Sequence, residues 1–541
     1  MHNTHESALS PFKHRTFTIM WLAALISNIG TWMHSVGASW LMTSLSPTPL
    51  TVSLVQTATT LPVFLFALPA GALADIFNRR TLLLLTNLFM LAAALIFAIL
   101  VWVELVTAEL LLLFAFLLGT GAAFMAPAWQ AIIPGMVPKE DLPQAITLGG
   151  ISINLSRAIG PALAGVLIGA YGMALPFVAN AISFIIIITV LLWWKYQTPA
   201  ANLALPPERV VSAMRAGVRY AWHSRPLKHT MWHVMGFMFF ANAVWGLLPI
   251  ISKDQLSGDA AFFGLLMGAV GVGAITGAFL LPRFKIRLNA NQLVAIGSTG
   301  TALMAGYFAI GNDQELAVLA GFIFGVGWIM VLATVNVSAQ QSLPDWVRGR
   351  GLAVFLMVFF GSMSLGAAFW GWLAEITSIM HALLAAAAGA IVFIAFSYRL
   401  KLQQGQYLDF TPSLHWPEPV IHEKVVHDAG PVIIQIKYNV VERDREAFLQ
   451  AIYRLKAARQ RDGGYNWGVY EDVEGQGCFV EHFTEESWVE HMRHHERVTH
   501  ADKALQEAVL VFHQKRSAPE VRHLIAAYPS GKSDLKGSKT Q

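Results

Sequence analysis

The sequence predicts an all-α membrane bundle of twelve transmembrane helices, followed by a small soluble α+β domain. Three observations predict this architecture. The chain of 541 residues is 55% hydrophobic and only 13% charged, which is more apolar than a soluble protein can bury. Its apolar residues form stretches long enough to cross a bilayer, which takes about 20 residues each. After Lys401 the composition becomes rich in Glu, Arg, Lys and His, as in a soluble domain.

The apolar stretches form two groups of six, separated by a polar interval from about 195 to 228. That interval contains an amphipathic run over 208–220, typical of a helix that lies at a membrane surface. The predicted spans are 17–41, 51–74, 81–103, 108–132, 145–170, 174–194, 229–252, 260–281, 291–310, 314–337, 351–376 and 378–400.

Lys and Arg predict the orientation, because cytoplasmic loops carry an excess of these residues. With the N-terminus inside, the inner loops hold most of the basic residues, whereas the outer loops hold Lys253 alone. We therefore predict a multi-pass protein of the inner (plasma) membrane with both termini in the cytoplasm. Its divisions are an N-terminus 1–16, a first bundle 17–194, a central loop 195–228, a second bundle 229–401, a linker 402–430, a soluble domain 431–527 and a tail 528–541.

Two landmarks recur in the same order in both halves. Gly71-Ala72 ends the second span before a basic turn, and Gly277-Ala278 ends the eighth span before another. Pro134-Gly135 follows the fourth span, and Pro344-Asp345 follows the tenth. Two six-helix repeats around a central site imply transport by alternating access. The alternative is chance similarity between apolar helices with basic ends.

The segment 71–80 carries a motif. It contains Gly71, an acid at the end of the second span, Asp75, and the basic pair Arg79-Arg80. This arrangement resembles the signature between spans 2 and 3 of the major facilitator superfamily, although Ile76 and Asn78 depart from the usual residues. The resemblance implies a twelve-helix secondary transporter.

Asp75 suits a latch between the two halves. A carboxylate at the inner face can accept hydrogen bonds from the free N–H groups at the start of the eleventh span. It can also pair with Arg348 or Arg350, which lie near that helix start. Such contacts would hold the halves together on the inside. The alternative is a solvated loop acid.

The fifth span contains a run of small residues over 154–165, with Gly160-Pro161 at its centre. The run resembles a shortened form of the fifth-span signature of drug/proton antiporters, which implies outward transport. A packing face of small residues with a proline kink is the alternative, and both interpretations can hold together.

The membrane part, over 12–401, resembles the branch of this superfamily that contains enterobactin exporters and transmembrane secretion effectors. That resemblance implies export of a bulky amphipathic organic compound: a drug-like molecule, a siderophore or a secondary metabolite. The residues that carry it are 27–32, Leu61-Pro62, Ala74-Asp75, Arg79-Arg80, Arg157 with Gly160-Pro161, and 217–220.

Arg157 lies near the middle of the fifth span, where a cation costs about 2.5–3.5 kcal/mol to insert. No Asp or Glu lies deep in another span to offset it. Its partner is therefore Asn154, backbone carbonyls or an anionic substrate. The arginine is either a substrate or gating contact, or a structural hydrogen-bonding hub.

Asn28 and His34, in the first span, are further polar candidates for the pathway. With other buried amides and several Trp residues, they suit an amphipathic organic substrate. His34 has a suitable intrinsic pKa for proton coupling, but a lone His on an apolar helix is also a common structural residue. Coupling to protons is therefore implied by the resemblance. The sequence has no P-loop, which argues against ATP as the energy source.

The C-terminal domain reads as β-α-β-β-α-β, with strands near 432–438, 465–471, 478–483 and 521–527. It resembles the ferredoxin-like barrels of the antibiotic-biosynthesis-monooxygenase type, through 459–463 and 487–491, and that resemblance allows a homodimer. His491, His494, His495 and His500 suggest a metal, but no carboxylate or cysteine completes a set. We therefore predict no metal, no cofactor and no catalytic residue.

The sequence thus predicts a proton-coupled secondary exporter of a bulky amphipathic organic compound, not an enzyme, acting in the lipid bilayer by alternating access. The alternative is a membrane-tethered enzyme or ligand sensor whose C-terminal domain carries the chemistry. A net charge of +4 is too small to indicate a nucleic-acid partner.

Overall fold

A computed structural model describes residues 9–194, 210–402, 409–413, 415–416, 429–514 and 518–527. For Asp75, Ile76, Lys139 and residues 210–213 only the backbone is described. The chain forms two compact units. The first comprises residues 1–207, 229–340 and 352–404, and the second comprises residues 208–228, 341–351 and 405–541.

The first unit contains helices long and apolar enough to cross a membrane, and the described part of the chain has twelve of them. Each overlaps one predicted span, so the predicted number and order are confirmed. They are α1 (Arg15–Leu45), α2 (Pro49–Ile76), α3 (Arg79–Trp102), α4 (Ala108–Ile132), α5 (Leu142–Tyr171), α6 (Leu175–Trp193), α8 (Arg225–Ile250), α9 (Ala260–Lys285), α10 (Ala290–Ile310), α11 (Gln314–Gln341), α12 (Arg348–Ile376) and α13 (Ile379–Ser397), with the shorter α7 (Val210–His223) between α6 and α8.

Glycines let neighbouring helices of the first six-helix repeat approach closely. A Cβ atom at Gly119 on α4 would lie 2.4 Å from the carbonyl oxygen of Thr59 on α2. A Cβ atom at Gly30 on α1 would lie 2.5 Å from the hydroxyl of Ser183 on α6. Small residues at such crossings bring backbones together where the solvent is lipid and no hydrophobic effect drives association.

The two halves meet along α5 and α9. A Cβ atom at Gly264 on α9 would lie 2.7 Å from the carbonyl oxygen of Pro161, and one at Gly271 would lie 2.6 Å from Cα of Ala158. The predicted packing role of the small residues in the fifth span therefore fits the structure. Pro161 lies inside α5 without ending it.

A second seam joins α2 to α12. The hydroxyl of Thr57 donates to the carbonyl of Ser364 at 3.1 Å, and the backbone N–H of Leu50 donates to a carboxylate oxygen of Glu375 at 3.3 Å. Beyond both seams, the ammonium of Lys253 donates to the carbonyl of Thr43 at 2.7 Å. These contacts lie toward the face of the bundle opposite the ends of the chain. We call that face the closed face, and the face where α1 begins and α13 ends the termini face.

The close approaches that glycines allow between α5 and α9 lie toward the closed face. On α5 they involve residues from Arg157 to Gly165. At Gly149 and Gly150, further toward the termini face, an added Cβ would meet no described atom within 4 Å. Alternating access requires the contacts between the halves to open on one face at a time.

The glycine landmarks of the two repeats differ in their surroundings. A Cβ at Gly277 would lie 3.1 Å from the backbone of Val326 on α11, whereas one at Gly71 would meet no described atom within 4 Å. In this conformation the second repeat needs its glycine for packing, and the first does not.

The second unit contains a four-stranded antiparallel sheet and helices that share a core with it. Its elements follow in the order β1 (Val432–Asn439), α14 (Arg445–Asp462), β2 (Tyr465–Glu471), β3 (Cys478–Glu485), α15 (Trp488–Arg497), α16 (His500–Leu510) and β4 (Glu520–Ile525). The strand order across the sheet is β2-β3-β1-β4. The four strands and α14 follow in the predicted order, whereas two helices, α15 and α16, lie between β3 and β4 where the β-α-β-β-α-β order has one. The four-stranded sheet is consistent with the predicted α+β class.

The core of this domain follows from strand alternation. Along β1 the buried residues alternate with half-buried ones, so that Val432, Ile434 and Ile436 share one face. That face packs against Phe448 and Ile452, which recur one turn apart on α14. The period-2 and period-3.6 patterns thus meet in one hydrophobic layer.

Helix α7 belongs to the second unit, although it precedes the C-terminal domain by some two hundred residues. Its apolar face, with Ala216, Tyr220 and Ala221, is buried by protein. The sequence predicts a membrane surface against that face. The same amphipathic pattern arises whenever one face of a helix is covered, whatever covers it.

Candidate transport site

Arg157 lies midway along α5, where the contacts between the halves end. Its guanidinium stacks on the ring of Trp32 of α1, with Cζ 5.3 Å from the ring centroid. Its Nε and Nη1 are buried and have no hydrogen-bond partner among the described residues. A buried cation without hydrogen bonds is costly, and cation–π stacking offsets only part of that cost.

The faces of α5 explain why Arg157 points where it does. Ser152, Ser156 and Gly160 lie on the face toward α1, and the hydroxyl of Ser156 donates to the carbonyl of Leu25 at 3.4 Å. Arg157 shares a face of α5 with Asn154, three residues earlier, and with Gly150, seven residues earlier. Its carbonyl oxygen faces α9, where it would lie 2.8 Å from a Cβ at Gly271.

The other polar candidates take different places. The amide of Asn154 donates to the carbonyl of Gly150 at 2.9 Å, within its own helix, so it does not bind Arg157 in this conformation. Asn28 is half-buried on α1. His34 packs against Phe97 and Phe177, with ring centroids 5.5 and 4.9 Å away, in a buried aromatic cluster of α3 and α6. That position turns it away from the α5 side of α1.

The second repeat contributes an aromatic cluster on α8 and α11. The rings of Trp245 and Trp328 lie 5.2 Å apart, and Phe324 and Phe237 pack on Trp328. Both indole N–H groups are buried without a hydrogen-bond partner in the described structure. The sequence indicates tryptophans near the pathway but not which of them lack an acceptor, because that depends on neighbours from other helices.

Arg79 and Arg80 fasten the ends of helices within the first repeat. A guanidinium nitrogen of Arg79 donates to the carbonyl of Ala131 at the end of α4 at 2.9 Å. Arg80 donates through Nε and Nη2 to the carbonyls of Leu191 and Leu192 at the end of α6, both at 2.8 Å. A helix leaves its last carbonyls unpaired and carries partial negative charge there, so a cation satisfies both needs.

We expect Arg80→Ala to destabilise the bundle by about 1 kcal/mol, because α6 loses two charged hydrogen bonds at its end. Thermal unfolding of the full chain in detergent measures this effect. Arg283→Ala is the matched control, since Arg283 lies exposed in the basic turn of the second repeat. Equal stability loss in both variants would contradict the capping role.

The latch between the halves stays a prediction. The side chain of Asp75 lies outside the described residues. Arg348 pairs with Asp345 at 2.6 Å, and both side chains are largely exposed, so this pair is weak and exchangeable. Arg350 lies against α7, where a Cβ at Gly217 would be 2.8 Å from its own Cβ.

The second unit holds residues 341–351, which we call the connector because they join α11 to α12. The guanidinium of Arg497 on α15 lies over the ring of Trp346, 4.4 Å from its centroid. The hydroxyl of Tyr220 on α7 donates to the carbonyl of Ser342 at 3.1 Å, and Arg461 of α14 stacks on the Tyr220 ring at 5.4 Å. We call these contacts the clamp. It ties the C-terminal domain to the segment that leads into α12.

We expect Arg497→Ala to loosen the clamp, because the stacking on Trp346 contributes about 0.5–2 kcal/mol. Backbone amides of the connector should then exchange hydrogen faster than in the parent chain. Arg443→Ala, which changes an exposed arginine of the same domain, should leave that exchange unchanged. Unaltered exchange in Arg497→Ala would exclude a holding role for this residue.

A buried ion pair lies inside the C-terminal domain. Arg459 Nε donates to Glu481 at 3.1 Å, and Tyr438 and Trp467 donate to the same carboxylate at 3.1 and 2.9 Å. Burial alone would lower the pKa of Arg459, but the Glu481 charge raises it above its ordinary value. The buried guanidinium of Arg459 is therefore charged and has a hydrogen-bond acceptor, as a buried charge needs.

Two histidines of this domain have lowered pKa values. Burial lowers the pKa of His495 to about 3, and the neighbouring His491 ring acts in the same direction. Burial and His491 likewise lower the pKa of His523 to about 4. Both rings are therefore neutral at neutral pH.

Twelve helices long enough to span a membrane in the described part of the chain, two six-helix repeats in contact through α5 and α9, and an arginine with buried, unpaired nitrogens midway along α5 fit a membrane transporter of the major facilitator type. The chain belongs to the transmembrane secretion effector family of that superfamily, whose model matches residues 6–530. The match confirms the family predicted from the motifs of the second and fifth spans. It does not test the monooxygenase-like resemblance of the C-terminal domain.

Curated relatives and solved structures agree with this family. The staphyloferrin A transporter of Staphylococcus aureus (strain NCTC 8325 / PS 47) is 23% identical over 69% of this chain and 94% of its own. The enterobactin exporter EntS of Salmonella choleraesuis (strain SC-B67) is 26% identical over 66% of this chain and 86% of its own. A bacterial homologue of the human lysosomal transporter Spinster, inward-facing and unoccupied, shares the fold with a TM-score of 0.56 at 14% identity, over 72% of this chain and 96% of its own.

Proposed function

We propose that the protein exports a bulky, anionic, siderophore-like organic compound by alternating access. The observation that carries this proposal is Arg157, a guanidinium midway along α5 with two buried nitrogens unpaired among the described residues. A carboxylate, catecholate or hydroxamate oxygen of the substrate would supply the missing hydrogen-bond acceptors in bidentate form.

The aromatic surroundings favour a large substrate. Trp32 flanks the guanidinium, and Trp245 and Trp328 offer unsatisfied indole donors in the second repeat. Binding sites for organic ligands combine such apolar walls with a few directed polar groups. The printed names of the relatives, a staphyloferrin A transporter and an enterobactin exporter, support the same substrate class.

The orientation we propose has the termini face toward the cytoplasm and the protein in the inner membrane. The support is the excess of Lys and Arg in the loops of that face. The transport cycle is proposed to be coupled to protons, with Asp75 and His34 as the titratable candidates.

The C-terminal domain is proposed to act on transport through the clamp rather than as an enzyme. The supporting observation is that residues of α14 and α15 contact α7 and the connector. The connector leads directly into α12. A change in the domain would then alter the start of a spanning helix. Dimerisation through this domain, and a ligand-sensing role for its buried polar groups, stay predictions.

Transport in inside-out membrane vesicles tests the proposed function. Vesicles containing the parent chain should accumulate a radiolabelled catecholate or citrate-type siderophore free of iron when a proton gradient is imposed. Vesicles with the Arg157→Met variant should not. Accumulation that persists without a proton gradient would contradict the proposed proton coupling. Accumulation of cationic dyes in place of anionic siderophores would contradict the proposed substrate class.

A further inference from the structure

Three histidines of the C-terminal domain bring their imidazole nitrogens together. His491 and His495 lie one turn apart on the same face of α15, and their Nε2 atoms are 3.2 Å from each other. His523 comes from β4, opposite Ile434 of β1, and its ring centroid is 4.7 Å from that of His491. One nitrogen from each ring lies within 4.8 Å of the other two, and no other such group of three occurs among the described residues.

A carboxylate orients the central ring. Nδ1 of His491 is hydrogen-bonded to Glu485 Oε2 at 2.9 Å, at the end of β3. The other oxygen of Glu485 binds Nδ1 of His494, which points away from the three rings. Since its Nδ1 binds a carboxylate, His491 presents Nε2 as a lone-pair donor, the tautomer that carboxylate–histidine–metal triads use.

The spacing suits a tetrahedral metal ion. Zinc binds imidazole nitrogens at about 2.0–2.1 Å, so two of its ligands lie roughly 3.3 Å apart. The nitrogen pair of His491 and His495 already has that separation. His491 is buried, while His495 and His523 are half-buried, so solvent reaches the outer side of the group. Trp488 packs against both His491 and His523, with centroids 5.4 and 6.0 Å away, and holds their rings in place.

We propose that His491, His495 and His523 bind a divalent transition-metal ion, with Glu485 as the positioning residue of His491 and a fourth position left to water or a small ligand. Three imidazoles with an open position are the donor set of many zinc sites. The spacing of His491 and His495 along one helix turn is visible in the sequence. The third ligand, His523, lies on β4 and the carboxylate of Glu485 lies on β3, so only the register of the sheet places them near His491.

Zinc binding by the full-length chain tests the proposal. The chain, carrying no polyhistidine tag, is purified in detergent, stripped with a chelator, incubated with Zn²⁺ and passed through gel filtration. We expect one retained zinc per chain by elemental analysis, and Co²⁺ in its place should give the strong visible bands of tetrahedral cobalt. Both signals should be lost in His495→Gln and in His523→Gln.

Two further variants distinguish one specific zinc site from non-specific zinc binding at other residues. His500→Gln changes an exposed histidine outside the group and should keep the zinc. Glu485→Gln should weaken binding 10- to 100-fold, because a neutral amide replaces the carboxylate that orients His491 through its Nδ1. The proposal is overturned if the parent retains no zinc, or if His523→Gln, a half-buried change on an edge strand that should fold, retains as much as the parent.

Discussion

Arg157→Met should give a protein that is at least as abundant in the membrane as the parent but nearly inactive in export. Removing the charge lowers the cost of inserting α5 by about 2.5–3.5 kcal/mol, so assembly should not suffer. Binding of an anionic substrate would lose its only described cation at that depth. The measurement compares membrane abundance by immunoblot with export rate in vesicles.

Arg157→Lys is the matched variant for this prediction. It keeps the charge but loses the planar pair of donors, so export should return only in part. If Arg157→Met disappears from the membrane, the arginine is a structural residue of the bundle. If it is abundant and exports at the parental rate, the arginine takes no part in transport.

Gly271→Ala should destabilise the bundle and depress export, because α5 leaves no room for a methyl group. The new Cβ would lie 2.6 Å from Cα of Ala158 and 2.8 Å from the carbonyl oxygen of Arg157, and backbone atoms cannot turn aside. Overpacking of this kind costs about 1–3 kcal/mol. The two halves would then part at the seam that closes one face. Thermal unfolding in detergent and export in vesicles measure the two effects.

Gly268→Ala supplies the same chemical change on the same helix, about one turn away. There the new Cβ would lie 3.6 Å from the carbonyl of Ala158, an ordinary contact. This variant should unfold and export like the parent, or unfold slightly later because alanine favours a helix over glycine. Equal behaviour of the two variants would mean that the α5–α9 seam does not limit stability or transport.

The sequence predicts the spans well because length and hydropathy are properties of single segments. Each span is an uninterrupted apolar stretch, and the bilayer sets how long it must be. The C-terminal elements are equally visible in the sequence, since Ile434, Ile436 and Tyr438 alternate with Gln435 and Lys437, and Phe448 and Ile452 repeat at helical spacing. Such patterns need no knowledge of which element packs on which.

Features that depend on partners distant in the chain were beyond prediction. In the sequence, Arg79 and Arg80 indicate a cytoplasmic loop. The helix-end carbonyls that they cap lie 52 and 111 residues away along the chain, so the sequence does not reveal the capping. The amphipathic pattern of α7 predicts that one face of the helix is covered, but it does not show whether lipid or protein covers it. In the structure that face is buried by protein. The helical spacing of His491 and His495 is visible in the sequence, whereas Glu485 and His523 come near them only because of how the strands pair.

The second unit is assembled from stretches that the ribosome delivers far apart in time. Tyr220 and Trp346 emerge well before the C-terminal domain, whose last strand ends at Ile525 and follows Gly351 by roughly 9–35 s at 5–20 residues per second. Until then the apolar faces around Tyr220 and Trp346 have no cover from α14 and α15. Completion of this unit therefore reports that the C-terminal domain has been made. A truncated chain would display the same surfaces permanently, as a recognisable mark for chaperones and proteases.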